Sequence, residues 1–199
     1  TPPQFNSEGL DGTAVHGLEY KEFVAVVSSV PVKEYEPTEE YTQKHKDVAV
    51  ELLKGHAVLP VAFGMVFKNS AVLVNTIRQV YGLLKLNLYS VEDKVELGLK
   101  IVLPKEESMT PEAIDSLSRE CQTVFSTALS PISEKTKELK LFSNRLALNR
   151  AFLVKKSNVD AFTKEVEKLR EKYPDLKILY TGPWPAYNFV DIQILRRGG

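Results

Sequence analysis

The segment Thr181-Gly182-Pro183-Trp184-Pro185-Ala186-Tyr187-Asn188-Phe189 limits the possible folds more than any other part of the chain. Its two prolines fix φ at about −65° and remove two backbone donors, which excludes a helix and a central strand. Gly182 and Asn188 tolerate turn geometry, and the only tryptophan stands between the prolines. The segment reads as a stiff aromatic connector leading into a strand that alternates Val190, Ile192 and Ile194. A plain hairpin needs only about two turn residues. Such stiffness therefore either plugs the edge of a core with Trp184 or presents a contact surface.

With 199 residues the chain can bury the core of one large domain or two small ones. No apolar run approaches the roughly 20 residues that span a bilayer, and no signal-peptide pattern opens the sequence. The expectation is a cytoplasmic protein that is not integral to a membrane. A single cysteine excludes an intramolecular disulfide. Equal numbers of basic and acidic residues, 26 each, argue against nucleic acid as the main partner. The charge is unevenly spread, however: eight acids in residues 1–40 face only Lys21 and Lys33, while 134–177 leans basic. Solvated helix faces or adhesion to a partner would each produce that polarity.

Composition makes residues 1–12 a loop. Val15–Tyr20 suits a short strand, and the β-branched run Phe23–Val27 suits a strand covered on both faces. Thr38 caps a helix carrying Tyr41, His45, Val48, Leu52 and Leu53 on one side, and Gly55 ends it. Val58–Phe67 is strand-like but broken by Pro60 and Gly64, so it predicts a bulged or edge segment. A helix begins near Ser70, with Leu73, Ile77, Val80, Tyr81, Leu84 and Leu88 on one face. Val95, Leu97, Leu99, Ile101 and Leu103 alternate as in a half-buried strand. Pro104–Ser108 is the best linker, and Thr110-Pro111 starts a helix striped by Ile114, Leu117, Cys121, Val124 and Leu129, which Pro131 should break. Ala151–Lys155 and Lys177–Thr181 read as strands, with a Ser157-capped helix between them.

These elements predict an α+β protein of two domains, residues 1–105 and 106–199. The C-terminal domain is expected to be ferredoxin-like, βαββ with an additional preceding helix, and the N-terminal one a small mixed sheet with helices on one face. The first half looks short of an opening strand.

Catalytic chemistry finds little support. The dispersed glycines form no phosphate loop. His45 and His56 lie eleven positions apart, roughly 16 Å along a helix, too far to share an ion, and His16 is elsewhere. Cys121 sits within an apolar stripe, where a small buried side chain is expected. Glu96, with Lys100 four residues on, reads as half of a surface pair. Nothing assembles a base, a nucleophile and an anion pocket. The chain is not expected to be an enzyme, and no cofactor or metal is expected.

Three segments, the opening one among them, resemble a known family. Val58-Leu59-Pro60-Val61-Ala62-Phe63-Gly64-Met65-Val66-Phe67 resembles the LP-x-x-FG-x-x-F signature of the gas vesicle protein F/L family. Asn149-Arg150-Ala151-Phe152-Leu153-Val154 resembles its N-x-AFLV strand, and Thr181–Phe189 its closing TGPWPPYNF element. Weaker similarity covers nearly the whole chain. Two departures stand out. Ala62 occupies a position where the family often has Arg or Gln, and the family's opening Y-x-YG strand has no counterpart before Thr1. A truncated or divergent copy of the pattern is therefore expected.

The resemblance implies a non-catalytic, chaperone-like accessory protein of gas vesicle formation. Its implied partners are the hydrophobic shell subunit, whose nucleation or assembly it would assist, and other accessory proteins at the gas vesicle. An insoluble subunit with apolar strands needs a matching edge or groove. The candidate partner-binding residues are Leu59, Phe63, Met65 and Phe67, with Trp184, Tyr187 and Phe189. The alternative reading is a small-molecule-binding regulatory protein built on ferredoxin-like units.

Overall fold

The computed structural model describes residues 5–104, 110–143 and 145–190. These form a mixed α+β protein with four α-helices and two sheets. The chain separates into two compact units, one running to Glu92 and the other spanning Asp93–Phe189. The sequence reading set the division at 105/106. The strand between those positions pairs on both sides with strands of the later half, and so moves the division forward.

In the first unit, β1 (Val15–Tyr20) and β2 (Phe23–Ser28) form an antiparallel hairpin. A two-residue turn joins them, with Lys21 at φ 53°. β2 was expected to be covered on both faces, but none of its residues is fully buried and Val24 is exposed; among the described residues its strand partner is β1. One hairpin face, with Leu18, Tyr20, Phe23, Ala25 and Val27, packs on Leu73, Ile77 and Leu84 of α2 (Ser70–Val91). That helix starts where Asn69 Oδ1 accepts the Val72 amide at 3.0 Å. α1 (Glu39–Leu53) is capped as predicted, Thr38 Oγ1 accepting from Tyr41 N at 3.3 Å. The Gly55 and His56 amides close it on Leu52 O. Glu51 of α1 accepts the Asn6 and Ser7 amides, tying the early residues to the helix. Val58–Phe67 forms no regular strand: Pro60 cannot donate, and Gly64 turns the chain at φ +84°. The expected mixed sheet is therefore a two-stranded hairpin.

The second unit runs β3 (Lys94–Val102), α3 (Pro111–Leu129), β4 (Lys135–Glu138), β5 (Leu146–Lys155), α4 (Val159–Lys172) and β6 (Lys177–Trp184). Its sheet has the order β4-β5-β3-β6 with every neighbour antiparallel. The first helix is thus a crossover between β3 and β4 rather than an addition before the unit. Thr110 Oγ1 caps α3 at Ala113 N with Pro111 in the first turn, and α3 gives way to a 3-10 turn at Ser130-Pro131-Ile132. Asn158, not Ser157, stands at the N-cap of α4, and its side chain makes no capping bond. β4 escaped the sequence reading because Lys-Thr-Lys-Glu has no apolar alternation; it pairs at an exposed edge through its backbone and the Glu138–Arg150 ion pair.

Register assigns the two faces of this sheet. Leu97, Leu99 and Ile101 share one face with Leu148, Phe152, Ile178 and Tyr180. Cys121, Phe125 and Leu129 of α3 and Phe162, Val166 and Leu169 of α4 are buried with them. Phe162 lies edge-on to Phe152 at 5.1 Å and stacks on Tyr180 at 6.0 Å between ring centroids. The opposite face carries the rows Lys135-Leu153-Glu96-Trp184 and Lys137-Ala151-Gly98-Thr181. The predicted linker at 105–108 and the alternating strand through Ile192 and Ile194 lie outside the described residues.

Candidate functional site

Two surfaces collect the residues that the sequence singles out, one in each unit. In the first unit, a cleft of about 860 Å³ is lined by successive residues Phe23–Ser28 and by 56–70. Strand side chains alternate between faces, so only an edge offers every residue in turn. The cleft therefore follows the edge of β2 that has no strand partner among the described residues, with the irregular 56–70 run as its other wall. Leu59, Phe63, Met65 and Phe67 all line it. Leu59 and Phe67 pack on the Leu73–Ile77–Leu84 cluster. Phe63 is held by His45 of α1, whose ring meets it edge-on at 5.9 Å while His45 Nε2 lies 3.0 Å from Val61 O. Nothing in the sequence separated His45 from an ordinary helix-face residue.

In the second unit, Trp184 ends β6 and the chain then folds back over the face opposite the helices. The Tyr187 amide bonds to Pro185 O at 2.7 Å and the Phe189 amide to Ala186 O at 3.1 Å. Pro185 and Ala186 are buried, whereas Tyr187 keeps 38% of its surface exposed. Gly182 enters this turn at φ +116°, where a Cβ would stand 2.8 Å from Glu96 O. Thr181 leaves only 2.7 Å for a Cβ on Gly98, so the loop and β3 approach as closely as bare backbone allows.

Glu96 is not half of a surface pair. It is 6% exposed, and its two oxygens accept Asn188 N at 2.8 Å and Asn188 Nδ2 at 2.6 Å. Lys137 Nζ donates to Asn188 O at 2.9 Å. Burial raises the Glu96 pKa above the usual carboxylate range, and the Asn188 bonds and the Lys137 charge only partly offset it. Burial, followed by the Glu96 charge, raises the Tyr187 phenol as well. The signal that could have found this contact is a lone acid inside the run Val95–Ile101; its partner, 92 residues away, has no local signature.

The remaining candidates are inert. Cys121 is buried, and burial followed by Glu120 pushes its thiol up to about 11, far from a reactive thiolate. Among the described residues no group of His, Cys, Asp or Glu is placed to hold a metal ion. No described helix is long and apolar enough to cross a membrane. Fold and surfaces together define an α+β protein whose distinctive features are an apolar cleft and an ordered aromatic loop.

Comparison with known proteins agrees. The family model described as "Gas vesicle synthesis protein GvpL/GvpF" matches residues 1–111 and 105–191. The chain is 35% identical to gas vesicle protein F1 of Halobacterium salinarum over 195 residues, covering 96% of this chain and 88% of that protein. It is 36% identical over 193 residues to gas vesicle protein F of Haloferax mediterranei, covering 93% and 87%. Its fold is similar to crystal structures of GvpF from Anabaena sp. PCC7120, with TM-score 0.85, 21% identity and coverage of 96% and 92%. It is also similar to GvpF from Microcystis aeruginosa, with TM-score 0.83, 17% identity and 96% of each chain covered. The chain belongs to the GvpL/GvpF family of gas vesicle synthesis proteins.

Proposed function

We propose that this chain is an accessory protein of gas vesicle formation that binds the hydrophobic shell subunit and assists nucleation or assembly of the wall. It acts without catalysis, like a chaperone, in the cytoplasm and at the growing vesicle. The second unit, with βαββαβ order and both crossovers straddling a strand, is read as ferredoxin-like. Docking uses Leu59, Phe63, Met65 and Phe67 in the first unit, and Trp184, Tyr187 and Phe189 in the second.

The observation that carries this reading is the apolar cleft beside the edge of β2 that has no strand partner among the described residues. An apolar segment of a subunit that would otherwise aggregate gains burial and backbone hydrogen bonds at such a place. The test is co-expression with a gas vesicle shell protein, followed by fractionation and pull-down. The shell protein should stay soluble and co-purify, with Phe63→Ala and Trp184→Ala each lowering the retained fraction. Folded variants that retain as much shell protein as the parent would remove these surfaces from the reading.

A further inference from the structure

We propose that Glu96 is a clamp that presets the conformation of the 184–189 loop, so that its aromatic side chains are presented ready-formed instead of being ordered by a partner. This rests on the docking role proposed above for Trp184, Tyr187 and Phe189, but its own evidence is independent of that role.

Most of the loop is apolar or aromatic, but little of it is buried deeply enough to fix its shape, Trp184 and Phe189 being only half-buried. Its buried members are Pro185 and Ala186, and Tyr187 is partly exposed. Two short-range backbone bonds, Tyr187 to Pro185 and Phe189 to Ala186, turn it locally but do not attach it to the sheet. Trp184 is held at the loop's start by its pairing with Glu96 in the sheet, and beyond it Asn188 is the anchor, with three of its polar groups engaged. Both amide donors go to the two oxygens of one carboxylate, and the carbonyl receives the Lys137 ammonium. An ionised carboxylate is the one side-chain group that offers two acceptor oxygens and no competing proton. Glu96 stands on the face under the loop, in the row that also holds Trp184. Gly98, two residues further on, leaves the space for Thr181 to come close. Carrying a carboxylate into a nearly closed position works against folding unless its bonds recover the cost. Leu153, the buried cross-strand neighbour of Glu96 in the same row, shows that this face accepts a hydrocarbon where packing alone is required.

Glu96 is thus a positioning residue, and the test must separate a clamp from simple filling of space. Glu96→Leu keeps the volume and removes the acceptors. Glu96→Gln keeps one acceptor oxygen for the Asn188 amide, and its own amide can donate to a flipped Asn188 side chain. Exchange of the Asn188 amide and the indole resonance of Trp184, the only tryptophan, are read by NMR on the full chain. Glu96→Leu should speed Asn188 exchange by about tenfold or more and broaden the indole signal, while Glu96→Gln stays close to the parent. Amides of α3 and α4 should be unaffected in both. Should Glu96→Leu fail to fold, Asn188→Ala at the loop surface must give the same broadening of the Trp184 signal. Parent-like exchange and an unchanged indole signal in the folded variants would overturn the clamp. Retention of the shell protein by Glu96→Leu separates the two ideas. A loosened loop with undiminished retention supports the clamp and removes this loop from the docking surface. A loosened loop with weakened retention supports both.

Discussion

The two units of this protein spend their apolar residues differently. In the second, helices on one sheet face shut Leu97, Leu99, Phe125, Phe152 and Phe162 away from solvent, each at 0% exposure. In the first, a two-stranded hairpin leans on α2, and its central residues Leu73, Ile77 and Leu84 remain 6–9% exposed beside an open cleft. An isolated hairpin is marginal in water and needs a helix to pack against. The comparison teaches that stability is concentrated in residues 93–189, and that the first unit trades closure for accessible apolar surface.

The largest way to break that contrast is to hollow out each core. Phe162→Ala should cost about 3–5 kcal/mol and remove the cooperative unfolding of the second unit, followed by calorimetry. Ile77→Ala should cost less, about 2–3 kcal/mol, because its surroundings are already partly open. Equal losses would show that the two cores are equally tight. Next in size is Gly182→Ala, which combines a φ forbidden to most L residues with a Cβ 2.8 Å from Glu96 O. It should destabilise the second unit by about 1–3 kcal/mol in denaturant melts without altering the first. Smaller still are the helix caps. Thr38→Ala in the first unit and Thr110→Ala in the second should each cost about 1 kcal/mol, and unit-resolved hydrogen exchange should show each loss confined to its own unit.

The subtlest effect, and the one that sharpens the comparison most, is the opposite response of the units to pH. In the first, bonds from Tyr81 and Lys85 lower Glu22 to about 2, and bonds from Ser7 and Asn6 lower Glu51. Those contributions are present above the ordinary carboxylate pKa and are lost as pH falls through the lowered values. In the second, Glu96 is raised by burial, so its contribution is complete below the ordinary pKa and is lost as pH climbs through the raised one. Acidification from neutral should therefore weaken protection of amides around Glu22 and Glu51 while slightly favouring the second unit. Glu96→Gln should flatten that second response. Amide exchange measured across a pH series, corrected for intrinsic rates, tests both signs.

How much of this was legible in the sequence follows the range of the forces involved. Thr38, Thr110-Pro111 and Gly55 marked helix ends because a cap is a bond between near neighbours. Strict alternation from Val95 to Leu103 marked β3, since one buried face needs a period of two. The run Lys135–Glu138 was silent because its ladder is made by backbone atoms that every residue shares, and its ion pair, Glu138 with Arg150, joins residues 12 positions apart. The domain boundary was missed because nothing local to β3 says that its partners come later. Of the candidate residues, the motifs picked out both groups of aromatic and apolar side chains. The acid beneath one of them stood out in its run but was assigned to the surface, because its role is fixed by a residue 92 positions on.

The margin of the second sheet has a consequence for crowded conditions. β4 is exposed throughout and carries Lys135 and Lys137, while its one acid, Glu138, is engaged by Arg150 of the neighbouring strand. Two copies meeting along that margin would bring their ammonium groups face to face, a like-charge arrangement that opposes strand pairing. Sheet-to-sheet pairing of copies through this border is therefore disfavoured, most strongly at low ionic strength.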